Sequence, residues 1–369
     1  MSFGPVLLAA GGTGGHLFPA EALAHVLEQR GVAVELVTDE RALRYGDSFP
    51  ARAMHMIRSA TPRGGSIFSR VAAVARLGLG VAEALALLLR LRPSVVIGFG
   101  GYPTVPPLVA ASLLRIPTVL HEANGVMGKA NRFLAGRVDA IAAGFPLPDA
   151  PPALRAKITV TGNPLRPNAL AAIDEPYPEI DGRLRLLVTG GSQGARVMAD
   201  VVPAAVAALP AESRAKIIVT QQARLEDIAR VADVYERAGV KAEIAPFFSD
   251  LPLRIARAQL VIARSGASTV SEIAAIGRAS ILVPLPHALD QDQAANAAVL
   301  QATGAAEVVR QENFTPRFLS ERLAVFIGDP ASLKLPAECA KAAGVADAAQ
   351  RLADLAFSVA KAKTQNTET

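Results

Sequence analysis

Small hydroxyl residues, one acid and an amide-rich loop crowd into Arg264 to Asn296, which reads R-S-G-A-S-T-V-S-E, a short apolar run, then P-L-P-H-A-L-D-Q-D-Q-A-A-N. Ile281 to Val283 have the composition of a buried strand. A helix over 267–276 precedes it, and Pro284 to Asp290 form the loop leaving its C-terminal end. Open α/β sheets bind ligands at such loops, and these residue types suit a nucleotide-sugar. Glu272 carries two balanced readings. Its carboxylate can accept both hydroxyls of a ribose, or it can close a capping box in Thr269-Val270-Ser271-Glu272 and satisfy only a backbone donor. Asp290-Gln291-Asp292 has the D-x-D spacing of carboxylates that hold a divalent ion against a diphosphate. Stabilisation of a helix start by its dipole explains the acids more simply.

Two further stretches offer anion chemistry. Gly11-Gly12-Thr13-Gly14-Gly15 and Gly190-Gly191-Ser192-Gln193-Gly194 each follow an apolar strand and lead into a helix. Glycines let backbone N–H groups approach phosphate oxygens, and the helix that follows directs its positive end there. Neither copy has the dinucleotide pattern or the lysine of a P-loop, so NAD and ATP readings lose ground. His16 directly follows the first loop, where a neutral imidazole could take a proton from an acceptor hydroxyl; a helix-terminus hydrogen-bonding role weighs about as much. His121-Glu122-Ala123-Asn124-Gly125 ends another strand at the rim where ligands are expected, although a turn at Asn124-Gly125 would also account for it. Gly98-Phe99-Gly100-Gly101-Tyr102 is a third possible anion-facing loop.

The elements that position these residues follow from the apolar pattern. Val6 to Ala10, Val34 to Val37, Ser94 to Ile97, Thr118 to Leu120, Ala140 to Ala142 and Ile158 to Val160 are short apolar runs, with helical segments between most of them. A second round runs through 184–189, 217–220, 242–244, 260–263, 281–283 and 306–309. Alternation of this kind predicts parallel sheets with helices on both faces. The proline- and acid-rich stretch Pro164 to Gly182 reads as a linker. At 369 residues the chain suits two domains, expected to face each other across a cleft.

Composition narrows the function classes. One cysteine, Cys339, rules out an internal disulfide framework, and five scattered histidines lack metal-ligand spacing. A net charge of +5 favours anionic partners, though solubility alone could account for it. Pro5 to Ala10 is a strand rather than a signal peptide, and Leu77 to Leu89, interrupted by Glu83, falls short of a spanning helix. A cytoplasmic protein with at most peripheral membrane contact is expected. The apolar segment Ile67 to Leu91, with Arg63, Arg70, Arg76, Arg90 and Arg92 in or beside it, suits either anionic lipid headgroups or a buried core position.

Taken together, G-G-T-G-G-H at Gly11 to His16, G-F-G-G-Y at Gly98 to Tyr102, H-E-A-N-G at His121 to Gly125, G-N-P-L-R at Gly162 to Arg166, G-G-S-Q-G-A at Gly190 to Ala195, R-S-G-A-S-T-V-S-E at Arg264 to Glu272 and D-Q-A-A-N at Asp292 to Asn296 resemble the bacterial peptidoglycan N-acetylglucosaminyltransferases. The resemblance spans nearly the whole chain. It implies a GT-B fold of two Rossmann-like, doubly wound parallel-sheet domains: 1–163 for the acceptor and membrane, 164–345 for UDP-N-acetylglucosamine, and 346–369 as a helix returning to the first domain with a frayed tail. The implied reaction is inverting transfer of N-acetylglucosamine from UDP-N-acetylglucosamine to the C4 hydroxyl of the muramoyl sugar of lipid I, giving lipid II. Peptidoglycan synthesis, cell wall biogenesis, cell shape and cell division follow from that role, at the cytoplasmic face of the inner membrane.

By similarity, Ser192 and its loop bind the diphosphate with Arg166, Glu272 takes the ribose, the Phe248 backbone meets the uracil, and Ala267 with Gln293 hold the sugar. Asn124 reaches the acetamido group; Thr13, Gly14 and Gly15 line the acceptor face with His16 as candidate base; Gly11, Gly12, Gly100, Gly101, Tyr102 and His121 complete the acceptor and diphosphate loops. No metal, cofactor or nucleic acid is implied, whereas an anionic membrane surface is. The chain departs from the family pattern in having Asp292-Gln293 where two glutamines are usual, Ala199 where asparagine is frequent, and no tryptophan on the membrane-facing helix. A UDP-N-acetylglucosamine 2-epimerase and a non-catalytic nucleotide-sugar sensor are the rival readings.

Overall fold

The computed structural model describes residues 4–11, 14–40, 49–60, 67–191, 194–286 and 292–368. The chain forms two compact units, Met1–Arg166 with Ala346–Thr369, and Pro167–Val345. The first contains β1 (Val6–Ala9), α1 (Gly14–Gln29), β2 (Val34–Thr38), β3 (Ala53–Met56), α2 (Ile67–Leu91), β4 (Val95–Gly98), α3 (Val105–Leu113), β5 (Thr118–Glu122), α4 (Lys129–Ala135), β6 (Ala140–Ala143), α5 (Pro152–Arg155) and β7 (Ile158–Val160). The second contains α6 (Pro167–Ala171), β8 (Leu184–Thr189), α7 (Arg196–Ala207), α8 (Ala211–Arg214), β9 (Ile217–Gln222), α9 (Ile228–Arg237), β10 (Lys241–Ala245), α10 (Leu251–Ala256), β11 (Leu260–Ala263), α11 (Ala267–Ile276), β12 (Ala279–Leu282), α12 (Asp292–Ala302), β13 (Ala306–Val308), α13 (Pro316–Gly328) and α14 (Lys334–Ala343). The chain then returns to the first unit as α15 (Ala348–Glu368).

Among the described residues the first sheet has the order β3-β2-β1-β4-β5-β6-β7 and the second β10-β9-β8-β11-β12-β13, with every neighbouring pair parallel. Strand direction of travel reverses once in each. In the first, β1 pairs with β2 on one side and β4 on the other; in the second, β8 sits between β9 and β11. The strand ends at such a reversal are left without a crossing connection, which is where doubly wound sheets open for ligands.

Both faces of the first sheet are buried, as parallel sheets require. Side-chain alternation sends Val6 and Leu8 toward a core shared with Leu23 and Leu27 of α1 and Leu352 and Ala356 of α15. Leu7 and Ala9 face the opposite core, with Ala84 and Leu88 of α2, Leu108 of α3 and Leu134 of α4. Lys363 fastens α15 by hydrogen bonds to both Asp139 carboxylate oxygens, at 2.9 and 2.7 Å. In the second unit Leu184, Leu186 and Val188 of β8 pack with Val202 of α7, Val231 of α9 and Leu319 of α13.

Several expectations need correction. Helix α1 starts by Gly14, so the last two glycines of the first loop belong to the helix instead of only preceding it. Strand β3 was not foreseen: it is a short edge strand of A-M-H-M whose apolar residues are interrupted by His55, with Met54 and Met56 exposed. His55 of β3 contacts the buried Glu35 carboxylate at 2.9 Å. The supposed linker is structured, with α6 and a 3-10 turn at Ala172–Asp174, and buried Arg278 donates to the Pro176 carbonyl at 3.3 Å. Helix α2 runs for 25 residues, and Val71–Leu91 is long and apolar enough to cross a membrane by length and composition. It is nonetheless divided: Ala84 and Leu88 enter the core while Val71, Val74 and Leu79 are exposed.

His121, expected at the rim where a strand ends, is the fourth residue of β5 and fully buried. Its ring sits 5.4 Å from that of Phe99, and neither ring nitrogen has a hydrogen bond of standard geometry among the described residues. Burial lowers its pKa from 6.5 to about 4; the Gly162 backbone opposes this and nearby His16 adds a small repulsion. A base with a depressed folded pKa stabilises the fold fully above pH 6.5 and loses that contribution as pH falls toward 4, because the unfolded chain takes the proton first. The shift corresponds to about 3 kcal/mol. Chemical denaturation from pH 7 to 4 is therefore expected to show a steeper stability loss in the native chain than in His121→Leu. Parallel pH profiles would remove His121 as the cause.

Candidate functional site

The reversal point of the first sheet brings the loop after β1 beside the loop after β4. His16, third residue of α1 and half-buried, is carried into this corner by the helix start. Gly100 and Gly101 have φ of 92° and 76°, in the left-handed region that favours glycine. A β-carbon at Gly100 would stand 3.2 Å from His16 Nε2, and one at Gly101 3.3 Å from Nδ1. Glycine thus serves twice here, for backbone conformation and for contact with the imidazole. The loop is fixed from below by Thr104, whose hydroxyl donates to the Gly100 carbonyl at 2.7 Å. Tyr102, half-buried, opens the 3-10 turn that follows, and Gly11 lies against His16, its added β-carbon 3.3 Å from Nδ1.

A buried carboxylate organises the neighbouring loop. Glu122, at the end of β5, accepts from the Asn124 backbone N–H at 3.0 Å and side-chain amide at 3.3 Å through one oxygen. Its other oxygen accepts from the Gly128 N–H at 2.9 Å and the Asn131 amide at 2.8 Å. Burial raises the Glu122 pKa, and these four donors act against that rise. Asn131 also donates to the His121 carbonyl at 3.2 Å, so β5, α4 and the Asn124 turn form one hydrogen-bonded unit. Arg166 lies with its guanidinium 4.1 Å above the Phe18 ring, near the start of α1, and Gly14 leaves room for that ring.

The second unit repeats the arrangement with different groups. The loop after β8 is drawn closed by a hydrogen bond from Gly194 N–H to Gly191 O at 3.0 Å, and α7 follows it. Next to it, β11 runs through Arg264 and Ser265 into α11. Buried Arg264 donates to the Val283 and Pro284 carbonyls at 3.0 Å each, holding the end of β12. Ser265 donates to the Gln293 carbonyl at 2.8 Å, and Asn296 donates to the Ser265 carbonyl at 3.1 Å. The starts of α11 and α12 are thereby stitched together, which places Ala267, first residue of α11, with Gln293, second residue of α12. The Gln293 side-chain oxygen accepts from Leu285 N–H at 3.0 Å.

Glu272 is resolved from one of its two readings. The N-cap of α11 is Gly266, with no side-chain cap bond, and Thr269 already lies inside the helix. The capping box does not form, and Glu272 is a buried acid in the second turn. Phe248 follows the C-terminal end of β10, mostly buried, with the Arg254 guanidinium 4.1 Å over its ring; Arg254 is itself held by Glu243 and Asp250 at 2.7 Å each. Asp292 opens α12 and accepts from Gln293 N–H at 2.9 Å.

The first corner therefore gathers His16, Gly11, Gly100 and Gly101, with Asn124 held next to it through Glu122 and Asn131; the second gathers Ala267 and Gln293, with Glu272 further along α11. His121, expected among the acceptor and diphosphate loops, is fully buried in β5. Gly15 is exposed and Gly14 buried at the start of α1. Gly12, Thr13, Ser192, Gln193, Asp290 and Gln291 lie outside the described residues, as does Arg63. The sequence reading missed what Glu122, Asn131 and Gln222 do. For Gln222 a signal existed: Gln221-Gln222 puts two amides at the end of an apolar strand.

The family model described as the glycosyltransferase family 28 N-terminal domain matches residues 6–143, and that described as the family 28 C-terminal domain matches 185–352. A protein of Rhodopseudomonas palustris (strain BisA53), named UDP-N-acetylglucosamine--N-acetylmuramyl-(pentapeptide) pyrophosphoryl-undecaprenol N-acetylglucosamine transferase, is 56% identical over 358 residues, covering 96% of each chain. A Brucella suis protein of the same name is 54% identical over 363 residues, covering 98% of this chain and 96% of its own. Among solved structures, MurG of Acinetobacter baumannii superposes with a TM-score of 0.78 at 29% identity, covering 96% of this chain and 99% of that one. With two parallel-sheet Rossmann-like units and these matches over nearly its full length, the chain belongs to glycosyltransferase family 28 and has the GT-B fold.

Proposed function

We propose that the chain transfers N-acetylglucosamine from UDP-N-acetylglucosamine to lipid I, the reaction named for its relatives. The observation that carries this reading is the pair of glycine-lined corners at the two strand-order reversals, one bearing a half-buried imidazole and the other a buried acid. Transfer is one displacement at the anomeric carbon. The C4 hydroxyl oxygen of the muramoyl sugar forms the new bond, the bond to the UDP diphosphate oxygen breaks, and configuration inverts. The hydroxyl proton passes to a base, and the departing diphosphate needs positive partners.

His16 is the base in this scheme, since its imidazole lies against glycines that leave it room. Glu272 accepts from the ribose hydroxyls, the Phe248 backbone reads the uracil, and Ala267 with Gln293 hold the sugar. Asn124, oriented by Glu122, meets the acetamido group. Ser192, Arg166 and the start of α7 receive the diphosphate; Thr13, Gly14 and Gly15 line the acceptor side, and the Gly11, Gly12, Gly100, Gly101 and Tyr102 loops meet the acceptor diphosphate. Exposed Val71, Val74 and Leu79 of α2 sit on anionic lipid at the cytoplasmic face of the membrane, which delivers the lipid acceptor.

Labelled UDP-N-acetylglucosamine incubated with a lipid I analogue is expected to give a disaccharide-lipid. A 2-epimerised sugar instead would establish the epimerase, and binding without turnover the sensor. His16→Ala is expected to lower kcat by roughly 10²-fold or more with UDP affinity little changed; equal loss of both would return His16 to a structural role. Glu272→Ala is expected to weaken UDP binding roughly tenfold or more, the effect of removing a charged hydrogen-bond acceptor. Normal UDP affinity in the folded variant contradicts the ribose contact. Val71→Asp with Val74→Asp should reduce co-sedimentation with anionic vesicles while transfer to a water-soluble analogue persists; unchanged sedimentation would refute the lipid contact.

A further inference from the structure

Strand β9 ends in two glutamines whose side chains leave on opposite faces, as strand alternation demands. Gln221 turns inward: its oxygen accepts from the Tyr235 hydroxyl, and its amide donates to the Met198 carbonyl at 3.2 Å. Gln222 turns the other way. Its oxygen accepts from the Thr189 hydroxyl at 2.9 Å and from the Gly190 N–H at 3.0 Å. Its amide donates to the Gly191 carbonyl at 3.0 Å and to the Pro246 carbonyl at 3.2 Å. With 6% of its surface exposed, this one side chain uses two acceptor and two donor positions to join two separate segments: the end of β8 with the start of the glycine loop after it, and the turn that leads from β10 to Phe248.

We infer that Gln222 is a positioning residue for the donor nucleotide, setting the spacing between the diphosphate loop at 190–194 and the uracil-reading turn at 246–248. The inference rests on the function proposed above for those two segments. A nucleoside diphosphate must be gripped at both ends at once, so its affinity depends on the separation of the two grips as well as on each of them. Gln222 spans that separation directly. It also settles which loop amide is available. The Gly190 N–H is occupied by the Gln222 oxygen, so diphosphate oxygens must be received by later donors of the loop and by the start of α7. Gly191, with φ of 82°, turns its carbonyl to accept from both Gln222 and Gly194.

The amide is the necessary chemistry, because only a group with both a carbonyl and an NH₂ can hold two donors and two acceptors in this geometry. Gln222→Glu preserves size and the two accepted bonds but cannot donate to Gly191 and Pro246. Gln222→Asn preserves the amide but is one methylene too short to reach both segments. In each variant the KM for UDP-N-acetylglucosamine is expected to rise roughly tenfold, in line with the loss of buried hydrogen bonds. The KM for the lipid acceptor and kcat should stay within about twofold. Inhibition by UDP should weaken relative to CDP, since the base-reading turn is no longer held in register.

UDP affinity measured by calorimetry without acceptor gives the same comparison independently of turnover. A native chain that binds UDP without transferring sugar would sink the transferase reading while leaving this test intact. Donor KM and UDP affinity that match the native chain in a folded Gln222→Glu or Gln222→Asn protein would overturn the inference. So would a uniform loss of kcat and both affinities, which marks a purely structural residue. If Gln222→Glu fails to fold, Gln222→Asn, which keeps a neutral amide in place, decides the matter alone.

Discussion

Each sheet reverses its strand order once, and the chemistry of the chain depends on that constraint. A right-handed crossover must place its helix on one face or the other, so the strands on either side of a reversal send their connections to opposite faces. Between β1 and β4, and between β8 and β11, the strand ends are consequently left open. Within each sheet, the residues immediately beyond the two strands lie beside one another although they are far apart in sequence. Glycine is needed there because a tight exit leaves no room for side chains, as the His16 ring against Gly100 and Gly101 illustrates.

Around these openings, buried polar side chains do the work that a loop cannot do for itself. Glu122 holds Asn124, Gly128 and Asn131. Gln222 holds Gly190, Gly191 and Pro246. Ser265 and Asn296 hold the starts of α11 and α12. In each case the polar group is desolvated and hydrogen-bonds to loop backbone, with side-chain amides adding to Glu122 and the Thr189 hydroxyl to Gln222, so removing it leaves several loop groups without partners. The loop residues proposed to meet a ligand follow the strand ends, and the buried side chains that hold those loops come from neighbouring strands and helices.

This division explains what could be read from the amino-acid sequence. Buried parallel strands such as Val95–Gly98 and Leu260–Ala263 announce themselves by unbroken apolar runs, and a helix from about Ala267 to Ile276 was legible as well. Rim glycines were legible because their type and spacing are restrictive. The edge strand Ala53–Met56 was not, since one half-covered strand needs no apolar run and its polar histidine finds a carboxylate only after folding. Glu272 shows how one residue can decide a reading: with Gly266 as N-cap, Thr269 already lies inside the helix, and the capping box fails. For His121, a titratable side chain near a glycine turn, no local pattern signalled that β5 encloses it. The partners of Gln222 are long-range contacts that no local pattern encodes.

The return of α15 to the first unit has a consequence for the order in which the protein can be completed. Val6, Leu8 and Ile97 belong to a core that Leu352, Ala353 and Ala356 finish, yet the whole of 167–345 is made in between. At synthesis rates of about 5–20 residues per second, one side of the first sheet waits roughly 10–40 s for its last helix. During that interval the newborn domain carries an open apolar face, while the second unit can close on its own residues. The final helix is thus the last piece of the first domain to be supplied, and truncation near the C-terminus would injure the part of the protein that was made first.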